Sequence, residues 1–223
     1  MHGALADADD VWLTPEETRR LLQAYRLPLP DEQVAETAAE AIEIAQRMGY
    51  PVVVKTAVAG AHKTEVGGVA LDLRDDAAVA EAVGRIGTPI LVQEMAHGDA
   101  ELLAGLVQDP VFGPLVGFGP GGVLAELIGE AVFRIAPLTD VDADELLDIG
   151  KAGRLVRGFR GKAPLDRAAL TSLLHRLSHL AVALPEVVEL DLNPIIARPD
   201  GCAAVDARVR VRRADPRTPL KSW

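Results

Sequence analysis

Residues 51–69, PVVVKTAVAGAHKTEVGGV, constrain the fold more than any other stretch of this 223-residue chain. The run Pro51, Val52, Val53, Val54 is short, β-branched and preceded by Gly49, which is the pattern of a buried strand. Lys55 follows, a cation placed where such a strand would leave the core. A second apolar segment, 69–73, closes the unit as a hairpin. The loop between them holds Gly60, His62, Lys63, Thr64, Glu65, Gly67 and Gly68. Such a loop has two readings. It is either an ordinary glycine-containing turn, or a flap whose N–H groups and cations approach phosphate oxygens closely.

Around this unit the chain alternates helix and strand signals. Thr14, Pro15 and Glu17 predict a helix start with a capping box. Helical spacing recurs over 37–48, ended by Gly49, and over 76–86 after Asp75. Strands are expected at 90–95 and 101–107, on either side of a turn at 96–99, then at 115–118, 123–128 and 131–136. A helix is expected over 142–149, an irregular basic surface segment over 151–162, and a long helix over 166–184. A β-meander over 187–209 completes the chain. Strands in antiparallel order with helices between groups of them predict an α+β fold. The segments 1–13 and 212–223 are expected to be tails.

Composition limits what the chain does. A hydrophobic content of 49% with 25% charged residues describes a folded globular chain, and 4% aromatics leave the core to Val, Leu, Ile and Ala. The formal net charge of −10 argues against nucleic acid or an anionic membrane surface as partner. It leaves phosphate ligands open, because local cations or a bound metal reverse the local sign. The single cysteine, Cys202, excludes an intrachain disulfide, and its apolar surroundings suit a core role. No run approaches the about 18 apolar residues of a membrane span, and the acidic start is unlike a signal peptide, so the cytoplasm is the expected location.

Four sets of polar residues sit on or beside apolar strands. Lys55 either snorkels to solvent or meets a phosphate. Gln93, Glu94 and Met95, with Glu101 beyond the turn, are either solvated or form an adenine edge with a ribose-binding acid. Arg134, between Phe133 and Ile135, wants a carboxylate partner or a phosphate. Strand alternation puts Glu189, Asp191 and Asn193 on one face, and the meander is expected to bring Asp206 beside them. That face is either simply solvated, or an oxygen-only set suited to Mg²⁺. Together the four sets contain the parts of a magnesium-nucleotide site.

These residues carry a resemblance. The motifs MGYPVVVK (48–55), HKTEVGGVAL (62–71), LVQEM (91–95), DPVFGPLVGFGPGGVLAEL (109–127), FRIAPL (133–138), ELDLNPI (189–195) and AVDAR (204–208) stand in the order found in one family. Over roughly residues 14–210 the chain resembles the ATP-grasp subunit of the ADP-forming acyl-CoA synthetases, related to succinyl-CoA synthetase. The resemblance implies an ATP-grasp fold over 14–211, with a smaller flap-bearing subdomain at about 30–95 and a larger metal-binding one at about 96–211. It implies ATP or ADP with Mg²⁺ as cofactors. Lys55, Lys63, Gly67 and Gly68 would hold phosphates, Glu94 and Met95 adenine, and Glu101 ribose. Asn193 and Asp206 would bind the metal, and Arg134 would neutralise the transferring phosphate. Asp191 would lie beside a phosphohistidine supplied by a CoA-binding alpha-type partner subunit, and His62 would take a second relay step. No G-x-G-x-x-G fingerprint follows a strand, which fits CoA binding by that partner. Two other readings keep the same nucleotide site: a ligase working through another acyl phosphate, and a non-catalytic nucleotide-binding regulator.

Overall fold

The computed structural model describes residues 10–57, 67–122 and 130–213. They fall into two units. One is Leu29–His97; the other takes in the described residues on either side of it.

The outer unit begins with β1 (Asp10–Trp12) and α1 (Pro15–Ala24). The capping box of α1 is present: Glu17 N donates to Thr14 Oγ1 at 3.2 Å, and Thr14 N donates to the Glu17 carboxylate at 2.9 Å.

The inserted unit contains β2 (Glu32–Ala35), α2 (Ala38–Met48), β3 (Val52–Thr56), β4 (Val69–Leu73), α3 (Asp76–Ile86) and β5 (Ile90–Glu94). Its four strands run in the order β2-β5-β3-β4, and every pairing is antiparallel. Thr37 and Asp75 cap the two helices through their side chains, and Gly49 (φ 90°) and Gly87 (φ 82°) end them in left-handed conformations that only glycine adopts without strain. Ala41, Ala45, Val79 and Val83 of the helices share one core with Val52, Val54, Ala70, Ile90 and Val92 of the sheet. β3 and β4 form the expected hairpin, while β2 had no strong signal, being a four-residue strand with three residues partly or fully exposed.

The outer unit continues through β6 (Ala100–Asp109), β7 (Gly113–Pro120), β8 (Val132–Ile135), α4 (Asp140–Asp148), α5 (Gly150–Val156), α6 (Arg167–Ala183), β9 (Val187–Arg198), β10 (Gly201–Ala204) and β11 (Ala207–Arg212). The sheet order is β1-β11-β9-β6-β7-β8, with β10 paired to β9. One row of facing residues, Val209, Leu190, Leu106 and Val116, is buried and lies on the helix-covered side with Leu170, Leu173, Leu174 and Leu177 of α6. The next row, Arg208, Asp191, Gly105, Gly117 and Phe133, points the other way.

Three expectations are corrected. Residues 10–12 are a strand rather than tail, because β1 pairs with β11 and the Arg208 and Arg210 guanidinium groups lie 4.5 and 5.7 Å from the Trp12 ring. Residues 150–156 are helical rather than irregular: Lys151 and Arg154 face outward, and Ala152, Gly153 and Val156 are buried between them. The strands on either side of the turn expected at 96–99, β5 and β6, do not pair with each other: they belong to different sheets, and the segment joining them connects the two units. The strand expected at 123–128 lies outside the described residues. Among the described residues no helix is long and apolar enough to cross a membrane.

Candidate functional site

Lys55 sits inside β3 rather than at its exit, and only 5% of it is exposed. Its Nζ donates to Gln93 Oε1 at 2.8 Å, and Gln93 Nε2 donates to Glu32 Oε2 at 2.7 Å. The register explains the chain of bonds. Glu32 faces Gln93, Gln93 faces Val53, and Lys55 lies two residues beyond Val53 on the same side. This side is opposite Val52 and Val54, which enter the helix-covered core. A buried ammonium is tolerated only with polar partners, and Gln93 with Glu32 behind it supplies them. Sequence grouped Gln93 with the adenine edge and passed over Glu32. The signal for both was an amide within ILVQE and an acid at the start of EQVA, each on an otherwise apolar sheet.

β5 is an internal strand, not an edge. Glu94 pairs with Val52, and its N–H donates to Asp31 O at 2.8 Å. The sheet ladder ends at Glu94, one residue before Met95. At the flap, Thr56 N donates to Gly68 O at 2.8 Å and Gly67 turns with φ 67°. His62 and Lys63, with Thr64 and Glu65, lie outside the described residues.

In the outer unit a bulge builds the second cluster. β6 pairs Leu102 with Ile195 and Ala104 with Leu192, so Asn193 and Pro194 both lie opposite Leu103. Strict alternation fails here, and the extra residue re-aims the Asn193 side chain. Asn193 Oδ1 accepts from Gly122 N at 2.9 Å, and Asn193 N donates to Asp206 O at 3.2 Å. Gly122 has φ 68°, and a Cβ there would lie 1.7 Å from Glu101 Oε2, so the acid packs against bare backbone. Gly121 N donates to Glu101 O at 2.9 Å. Glu101, Gly122, Asn193 and Asp206 are thus gathered at one end of the sheet. Asp191 stands on the same open face as Glu101, since Gly105 and Glu101 alternate together along β6. Burial, then the Asp206 carboxylate, pushes the Asp191 pKa up to about 6; Arg208 opposes the shift and Glu189 adds to it.

This donor set fits a hard divalent cation. It offers an amide oxygen with a remaining lone pair and crowded carboxylates, without thiolate or imidazole. Among the described residues no three His, Cys, Asp or Glu groups converge as a full cage. Two protein ligands completed by water and phosphate is the Mg²⁺ habit.

Arg134 is not part of this cluster. Its Nη2 and Nε lie 2.9 and 3.2 Å from Glu145 Oε2 on α4, and its Nη1 donates to Phe133 O at 2.9 Å. It faces Val116, in the row on the helix-covered side, whereas Asp191 is in the opposite row, on a strand separated from β8 by β6 and β7. Of the two partners the sequence allowed, the described geometry has the carboxylate.

The family model of the ATP-grasp domain matches residues 4–211. The Acetate–CoA ligase [ADP-forming] I subunit beta of Pyrococcus furiosus is 34% identical over 217 residues, covering 92% of this chain and 94% of that protein. The 4-hydroxybutyrate–CoA ligase [ADP-forming] of Nitrosopumilus maritimus is 36% identical over 212 residues; 88% of this chain is covered, but only 30% of that longer protein. A solved structure of acetyl-coenzyme A synthetase 1 from Ca. Korarchaeum cryptofilum, in complex with coenzyme A and Ca-AMPCP, matches with a TM-score of 0.84 at 38% identity, covering 90% of this chain and 93% of that one. Another structure of that protein, with Mg-AMPPCP and a phosphohistidine segment pointing towards the nucleotide binding site, matches with a TM-score of 0.78 at 38% identity, covering 92% of this chain and 93% of that one. The antiparallel two-sheet architecture, the oxygen cluster at the β9 bulge and these likenesses have one reading: the chain belongs to the ATP-grasp family, among the relatives of the beta subunits of ADP-forming acetate–CoA ligases.

Proposed function

We propose that this chain is the nucleotide-binding part of an ADP-forming acyl-CoA synthetase and works with a CoA-binding alpha-type partner. The overall reaction is acyl-CoA + ADP + phosphate ⇌ carboxylate + CoA + ATP. The step hosted here is phosphoryl transfer from a phosphohistidine of the partner to ADP. The histidine P–N bond breaks, a P–O bond forms to the terminal ADP oxygen, and the imidazole regains a proton. The observation that carries the reading is the bulge pairing Asn193 with Asp206 beside Glu101. The near-complete match to a beta subunit supports the need for a partner.

In this reading Asn193 and Asp206 hold Mg²⁺, whose charge would offset that of the nucleotide phosphates when bound. Lys55, oriented by Gln93, meets phosphate oxygens, with Lys63, Gly67 and Gly68 of the flap covering them. Met95 and Glu94 meet the base, and Glu101 accepts from ribose hydroxyls. Asp191 receives the incoming histidine: a carboxylate beside an imidazole orients it and stabilises its protonated form once the phosphoryl has left. His62 is the candidate for a further relay step. In this reading Arg134 is held by Glu145, and reaching a phosphate would require it to give up that ion pair.

Calorimetry with ADP tests the site without the partner. Replacing Asn193→Ala together with Asp206→Ala is expected to weaken Mg²⁺-dependent ADP binding about tenfold or more, and EDTA is expected to do the same to the unaltered protein. An unchanged magnesium dependence in the double variant overturns the metal assignment.

A further inference from the structure

The segment joining α5 to α6 borders a cavity on the side of the outer sheet opposite Asp191. Leu165 N donates to Val156 O at 2.9 Å and closes the segment at its base. Lys162 N donates to Phe159 O at 3.2 Å across a turn whose central residues, Arg160 and Gly161, have φ of 53° and 84°. This is the turn type that favours Asn or Gly at its first central position, and an arginine there is strained by about 1 kcal/mol. Gly158, at φ 89°, would place a Cβ 2.5 Å from Lys162 O, so the backbone is folded tightly on itself.

The strained arginine lies on the exposed surface of the turn. Its guanidinium carbon lies 5.3 Å from the centroid of the Phe159 ring, and that residue is 44% exposed. Among the described residues Arg160 makes no ion pair. Beside it is a cavity of about 240 Å³ lined by Asp99, Ala100, Leu155, Phe159, Arg160, Lys162, Ala163 and Leu165. The lining has one anion and two cations. Lys162 Nζ already donates to Asp99 O at 2.6 Å and lies 3.7 Å from its carboxylate, so among the described residues lining the cavity no anion is left to pair with Arg160. The rest of the wall is aliphatic or aromatic.

We propose that this cavity binds a small carboxylic acid with a flat apolar body. The guanidinium fork suits a carboxylate through two parallel hydrogen bonds, and the Phe159, Leu155 and Leu165 surfaces suit a ring or short branched chain. The volume is sufficient, since an apolar cavity of about 150 Å³ takes up benzene. The site is separate from the nucleotide cluster. Ala100 alternates with Leu102 and Ala104 onto the helix-covered side, whereas Glu101 and Gly105 point the other way with Asp191. The proposal therefore stands whether or not the nucleotide assignment does.

Phenylacetate is the probe, titrated into the isotopically labelled full chain and followed by amide chemical shifts. Saturable binding is expected in the millimolar range, with shifts confined to residues 99–100 and 155–165. The neutral phenylacetamide and inorganic phosphate are each expected to bind about tenfold more weakly. Arg160→Gly and Arg160→Asn both suit the left-handed turn, so they are expected to keep the melting temperature while abolishing the preference for acid over amide. The Asn193→Ala/Asp206→Ala protein is expected to bind phenylacetate unchanged. No saturation by about 10 mM, equal affinity for acid and amide, phosphate binding as tightly as phenylacetate, or a preference surviving in both Arg160 variants overturns the proposal.

Discussion

Tyr50 shows how one side chain secures the strand that carries Lys55. Its hydroxyl donates to Asp76 Oδ1 at 2.7 Å, tying the entrance of β3 to the first turn of α3. Burial, and then this bond to an anion, raise its pKa to about 12 from the usual 10. The folded state therefore holds a proton that the unfolded state gives up, and the contribution is complete below pH 10 and lost as the pH rises towards 12. Tyr50→Phe is expected to remove the late-ionising component from the alkaline absorbance titration and to flatten the fall in stability over that window. An unchanged titration would mean that the Asp76 bond does not hold the proton in solution. Lys55 teaches the complementary lesson. Its place at the end of a valine run was legible in the sequence; that Gln93 and Glu32 line up beside it depends on the register of three strands, which local pattern does not encode.

Helix boundaries were the most legible elements, because caps are local chemistry. Thr14, Thr37, Asp75 and Asp166 each accept from a backbone N–H three residues on, and each opens a helix close to where the sequence put it. Strand partnership was less legible. Residues 90–107 read as two strands about a turn, yet the chain uses that turn to pass between sheets, a choice made by distant partners rather than by the turn itself. The Asn193 bulge is of the same kind: period-two reasoning placed Asn193 on the Asp191 face, and only pairing with β6 reveals the extra residue. The β8–α4 junction permits a direct test. Arg134 and Glu145 are 28% and 52% exposed on their side chains, so their coupling is expected to be at most about 1 kcal/mol in a double-mutant cycle of denaturant unfolding. Arg134→Gln is expected to leave Mg-ADP affinity within about twofold. A tenfold loss in Arg134→Gln, absent from Glu145→Gln, would return Arg134 to the phosphate site.

At the scale of the whole molecule, the chain matches nearly all of one beta subunit and under a third of a longer ligase. Turnover is therefore expected only with a CoA-binding partner present. Radiolabelled phosphate should appear in ATP when acyl-CoA, ADP and partner are combined, and in none of the mixtures lacking one of them. Label reaching ATP without a partner would sink the divided-enzyme reading. The division also has a topological side. Because β1 lies against β11, with Asp10 opposite Arg212, the first strand of the outer unit begins beside the end of its last strand. A polypeptide spliced upstream of residue 10 or downstream of residue 212 would thus emerge from one common doorway, and swapping the order of fused modules would demand little rebuilding of this one.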